Sequence, residues 1–178
     1  MGLIDEIRDR AVSGKVPLED VLRHCMVLAA RLKHDPLKTW THQELNGYQS
    51  SADVPDYRVV QATLRYRDVG PFHLRSDLVP SSRVPPESDG ILRRIPLRPG
   101  VAELEAWQGG GGIKVAMPEN LHDYLDAAGL ESWGLTDVYR EVSGSTLKGV
   151  LSTIRNRVLE FVLSLEDQST EIDSAAPG

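Results

Sequence analysis

The sequence predicts an α+β fold, with helices at both ends of the chain and a strand-rich middle. Three observations predict it. Apolar residues recur at helical spacing over residues 3–46 and again over 145–165, while the stretch between carries alternation, glycines and prolines. At 178 residues, 40% hydrophobic and 26% charged, the chain is expected to form one domain, 1–167, followed by a polar, disordered tail, 168–178.

The first stripe is Leu3, Ile4, Ile7 and Ala11, and Gly14 can end it in the left-handed conformation. Pro17 opens a second helix, having no N–H to lose in a first turn. Its stripe is Leu18, Leu22, Cys25, Ala29 and Leu32. Pro36 opens a third, which runs through Leu37, Trp40, Thr41 and Leu45 to Gly47. Residues 57–66 then alternate as one strand, with Val60, Ala62, Leu64 and Tyr66 on one side, and residues 72–79 can return beside it.

Prolines 80, 85, 86, 96 and 99, with Pro71 just upstream, argue against a regular helix over 80–100 and leave a short edge strand at 92–97. A short helix is expected over 100–107. Beyond the four glycines 109–112, a strand is expected over 113–117, a helix from Pro118 with Gly129 as its cap, and a strand over 135–142. In that last strand Val138, Arg140 and Val142 share a side. Ser145 is expected to cap the final helix. Its stripe, Leu147, Leu151, Ile154, Val158, Phe161 and Leu165, is the longest in the chain, and it should pack on the N-terminal helices. Val150 and Val162 flank the stripe and suggest apolar surface left over for a second copy of the chain.

Composition limits function. A formal charge of −6 disfavours a nucleic-acid partner, because neutralising phosphates needs a basic surface, although a local patch stays open. Arg93, Arg94 and Arg98 form the candidate patch, with Asp89 and His73 near it. The single cysteine, Cys25, lies in an apolar stripe and reads as core. The charged opening from Asp5 and the lack of a long apolar run point to a cytoplasmic location and no membrane partner. The histidines show no metal-ligand spacing, so neither metal nor cofactor is expected. The glycine run lacks the lysine and hydroxyl ending of a phosphate loop.

One segment concentrates unusual residues: Trp40, Glu44 and Tyr48, then Tyr57 and Arg58 after Pro55. Trp40 and Glu44 share a helix face, and the returning chain can bring Arg58 back toward Glu44. Two readings follow. One is a structural clasp, a charged pair under aromatic cover. The other is a ligand pocket in which Glu44 is a base.

The same segment resembles the AbiTii domains of bacteria, through Trp40, residues 44–48 and residues 54–58. So do residues 18–23 with Leu28 and Ala29, and the later Val142, Ser143, Leu147, Val150, Leu151, residues 154–158 and Phe161. That resemblance covers roughly half the chain. It implies a setting in abortive infection, the response in which bacteria halt their own growth when phage attack, but it supplies no catalytic residues. The expected function is therefore a non-enzymatic module of an antiphage system, a homo-oligomer of at least two copies or the holder of a partner effector. The alternative is a small toxin enzyme acting on RNA or a nucleotide.

Overall fold

The structure, a computed structural model, describes residues 2–70, 73–80, 82, 84, 86–117, 119 and 137–175. It is an α+β fold with helices at both ends. In chain order the elements are α1 (Leu3–Ser13), α2 (Leu18–Leu32), α3 (Asp35–Asn46), β1 (Val59–Gln61), β2 (Thr63–Gly70) and β3 (His73–Leu78). They continue with α4 (Pro86–Arg93), β4 (Arg94–Pro96), α5 (Val101–Gly109), β5 (Gly112–Ala116), β6 (Asp137–Ser143) and α6 (Gly144–Ala175). The chain divides into two compact units of interleaved sequence. The first holds 1–53, 98–106 and 148–178, and the second holds 54–97 and 107–147.

The first unit is helical. Gly14 closes α1 in the left-handed region at φ 63°, and Lys33 closes α2 there at φ 53°. The start of α2 is satisfied from a distance, since the Leu18 amide donates to Glu105 Oε1 of α5 at 2.8 Å. That carboxylate does what a local cap would do for an orphan N–H, and its charge suits the positive end of the helix. Ile7, Leu18, Leu22, Leu104 and Ile154 are fully buried, and Val158 nearly so. Arg155 ties α6 to α1 and the turn after it, donating to the carbonyls of Arg10 at 3.3 Å and Val16 at 2.8 Å. Arg8 pairs with Glu166 further along α6.

The second unit carries two antiparallel sheets. One is the pair β1–β4, and the other has the order β3-β2-β6-β5. One face of the larger sheet meets an apolar cluster of Leu64, Val79, Val84, Leu92 and Met117, with Tyr66 and Val138 packed against it. The β2–β6 register places Leu64 opposite Arg140 and Tyr66 opposite Val138.

Several expectations change. Residues 57–66 are not one strand: a 3-10 turn, Asp56–Arg58, precedes β1, and the chain breaks at Ala62 before β2 joins the other sheet. The Arg58 amide donates to the Pro55 carbonyl at 2.8 Å, and the Ala62 amide to the Arg93 carbonyl at 2.8 Å. These bonds fix turn and break where alternation alone implied continuity.

The proline-rich stretch does contain a helix, α4. Pro86 occupies its first position, where a missing N–H costs nothing, and 87–95 are proline-free. Ser143, not Ser145, caps α6, its Oγ accepting from the Thr146 amide at 3.1 Å. The helix runs on to Ala175. Leu32 is exposed, whereas Val150 and Val162 are buried, so the flanks of the α6 stripe supply no spare apolar surface. The helix expected from Pro118 and the start of the strand expected at 135 lie outside the described residues.

Candidate functional site

α3 ends at a tight crossing. Gly47 follows it at φ 88°, a conformation L side chains rarely adopt, and a Cβ there would sit 2.8 Å from the Arg98 carbonyl. A Cβ on Gly100 would collide with the Leu45 carbonyl. The Tyr48 amide then donates to the Arg98 carbonyl at 2.8 Å. These close approaches turn the chain so that Tyr48 lies back over the last turn of α3. Its hydroxyl donates to Glu44 Oε1 at 2.6 Å, and both side chains are buried. The bond gives both buried polar groups a partner.

Trp40 precedes Glu44 by one turn of α3. It lines a recess of about 210 Å³ with His34, Leu37, Arg157 and Phe161, and the His34 and Phe161 rings meet edge to face at 5.7 Å. In the second unit, Arg58 ends the 3-10 turn and is fully buried. Its Nη1 donates to the Leu97 carbonyl at 3.2 Å, and the Leu97 amide donates back to the Arg58 carbonyl at 2.8 Å. Tyr57 is half-buried. Of the five residues singled out, the structure brings Glu44 and Tyr48 together in the first unit, while Tyr57 and Arg58 belong to the second.

The three arginines of the candidate basic patch have separate tasks. Arg93 Nε pairs with Asp89 at 2.6 Å, one helical turn away on α4. Arg98 Nη1 donates to the carbonyls of Gln49 at 2.5 Å and Ala52 at 2.7 Å, stapling the loop after α3. Arg94 is exposed at the start of β4. Cys25 is buried, and burial pushes its thiol up to about 12, which keeps it protonated and poorly nucleophilic at neutral pH. Among the described residues, no three histidines, cysteines or carboxylates form a group able to hold a metal ion.

The larger sheet carries charges that linear reading left aside. On one face Arg65 pairs with Glu141 at 2.5 Å, while Arg67 and Lys114 lie over the Tyr139 ring at 5.8 and 5.3 Å from its centroid. On the other face is Arg140, buried, its Nη1 and Nη2 each 3.4 Å from a backbone carbonyl, those of Arg94 and Ala116. The signal for Arg140 was present in the sequence. Strand alternation puts it between Val138 and Val142, a charge in line with apolar neighbours.

No curated protein and no solved structure matches the chain. A family model does, AbiTii, and it spans residues 2–177. The chain therefore belongs to the AbiTii family, whose name points to abortive infection, a bacterial defence against phage.

Proposed function

We propose that the chain serves that defence by association, as a self-associating or effector-holding module, and not through catalysis of its own. The observation that carries this reading is apolar surface left on the helical unit after folding. Val27 and Leu32 of α2 and Leu163 of α6 are 47%, 45% and 42% exposed. Leu32 also lines a cleft of about 470 Å³ with Leu3, Ile4 and Leu28, and Arg31 and Glu166 stand at the same cleft. Leucines beside an arginine and a glutamate suit a second copy of the same surface, because in a two-fold contact Arg31 of one copy can meet Glu166 of the other.

Sedimentation of the full chain at micromolar concentration tests the reading. A dimer or larger species is expected, and Leu32→Glu should drive it toward monomer. Induced expression and an assay against RNA, DNA and nucleotides belong to the same test. A strict monomer that degrades one of these substrates would establish the toxin-enzyme alternative instead.

A further inference from the structure

Two helices of the first unit leave an aromatic recess open at their surface. His34, Leu37 and Trp40 follow one another at three-residue steps at the start of α3, and Arg157 and Phe161 stand one turn apart on α6. All five line the same space of about 210 Å³. Leu37 is buried, Trp40 and Phe161 are half-buried, and His34 and Arg157 are exposed, so solvent reaches the rings and the guanidinium.

The recess is built as well as open. The His34 and Phe161 rings meet edge to face at 5.7 Å, which ties the two helices together at its rim. His34 also caps α3, its Nδ1 accepting from the Leu37 amide at 3.0 Å. That bond puts the proton of the neutral imidazole on Nε2, which is then a donor.

The lining chemistry is narrow. Indole, phenyl and imidazole rings with a guanidinium are the set on which unpaired nucleobases stack, and the guanidinium matches a phosphate besides. Among the described residues no carboxylate lines the recess, so nothing in the lining repels that phosphate. The volume falls below the roughly 300–1,000 Å³ of a pocket that encloses a whole drug-sized ligand. It suits one ring system, with the remainder of the ligand outside. A nucleic-acid polymer is disfavoured by the chain's net charge of −6, whereas a single nucleotide brings few charges to neutralise.

We propose that this recess is a mononucleotide site, in which the base stacks on Trp40 beside Phe161 and His34 while Arg157 takes the phosphate. The site adds a ligand to the association reading and does not depend on it.

The full chain, nitrogen-labelled, is titrated to millimolar concentration with AMP, GMP, CMP and UMP, and separately with adenosine and with ribose phosphate. The signal is the Trp40 indole N–H resonance, one of three in the chain, assigned by its loss in Trp40→Phe. A saturable shift is expected with the nucleotides, the purines binding more tightly because their larger faces stack better. Ribose phosphate, which lacks the base, should leave the resonance where it was. Arg157→Gln alters an exposed residue and should fold; it should weaken AMP about tenfold or more and leave adenosine unchanged. An indole resonance unmoved by all four nucleotides, an equal shift with ribose phosphate, or undiminished AMP binding in Arg157→Gln would overturn the site. So would a shift produced by an acidic phenylalanine tripeptide and by none of the nucleotides, which would make the recess a dock for a protein side chain.

Discussion

Cys25 sits in the α2 stripe with its thiol held protonated up to about pH 12. The unfolded chain has no such constraint, so its thiol ionises near the ordinary value of 9.0. Because the folded pKa is the raised one, this contribution to stability is complete below about pH 9 and falls as pH rises toward 12. Chemical denaturation across that range should show the decline, and Cys25→Ala should flatten it. Iodoacetamide should label Cys25 slowly in native buffer and quickly in denaturant. The Tyr48–Glu44 bond gives a second expectation: Tyr48→Phe removes a hydrogen bond to a buried carboxyl group and should cost about 1.5–3 kcal/mol in a denaturant titration. The charge pair drawn from the sequence is read by a double-mutant cycle on Glu44→Gln and Arg58→Met. Coupling of about 0.5–3 kcal/mol supports it, and additive losses remove it. At this scale Glu44 and Tyr48 stood out in the sequence, but the bond between them was not foreseen. The task of Arg98 was not foreseen either, since it is done on the carbonyls of Gln49 and Ala52, which no side-chain pattern announces.

Helices at either end followed their stripes, because 3.6-residue periodicity survives any tertiary context that buries one face. Ile154 is fully buried at the centre of the α6 stripe, and Ile154→Ala should cost about 2–5 kcal/mol in thermal or denaturant melts. The strands were less legible. Val59 through Tyr66 alternates continuously, yet Ala62 hands the chain from one sheet to the other, a switch made by a backbone bond to Arg93. The glycine run between α5 and β5 sorts itself once backbone angles are known. Gly111 and Gly112 have φ of 90° and 127°, and a Cβ on Gly112 would collide with the Val142 carbonyl, whereas Gly109 faces open space. Gly112→Ala should therefore cost at least about 1–3 kcal/mol. Gly109→Ala should stay within about 0.5 kcal/mol of the parent, read by the same melts.

The molecule as a whole keeps the predicted class, α+β with terminal helices, but distributes it in a way linear reading did not foresee. Compact units are recognised by which residues meet, and the meeting of 1–53 with 98–106 and 148–178 leaves no linker or composition break in the sequence. Arg140 was missed for a like reason, standing in a strand noted only for its alternation although it is buried opposite Leu64. The same interleaving sets a timetable for synthesis. α1 and α2 leave the ribosome early, but Arg155, which grips the carbonyls of Arg10 and Val16, is made more than a hundred residues later. At roughly 5–20 residues per second, the nascent helices wait on the order of ten seconds for that partner. The whole second unit is translated meanwhile and can fold first. Until α6 arrives, the carbonyls of Arg10 and Val16 lack the guanidinium that grips them in the folded chain.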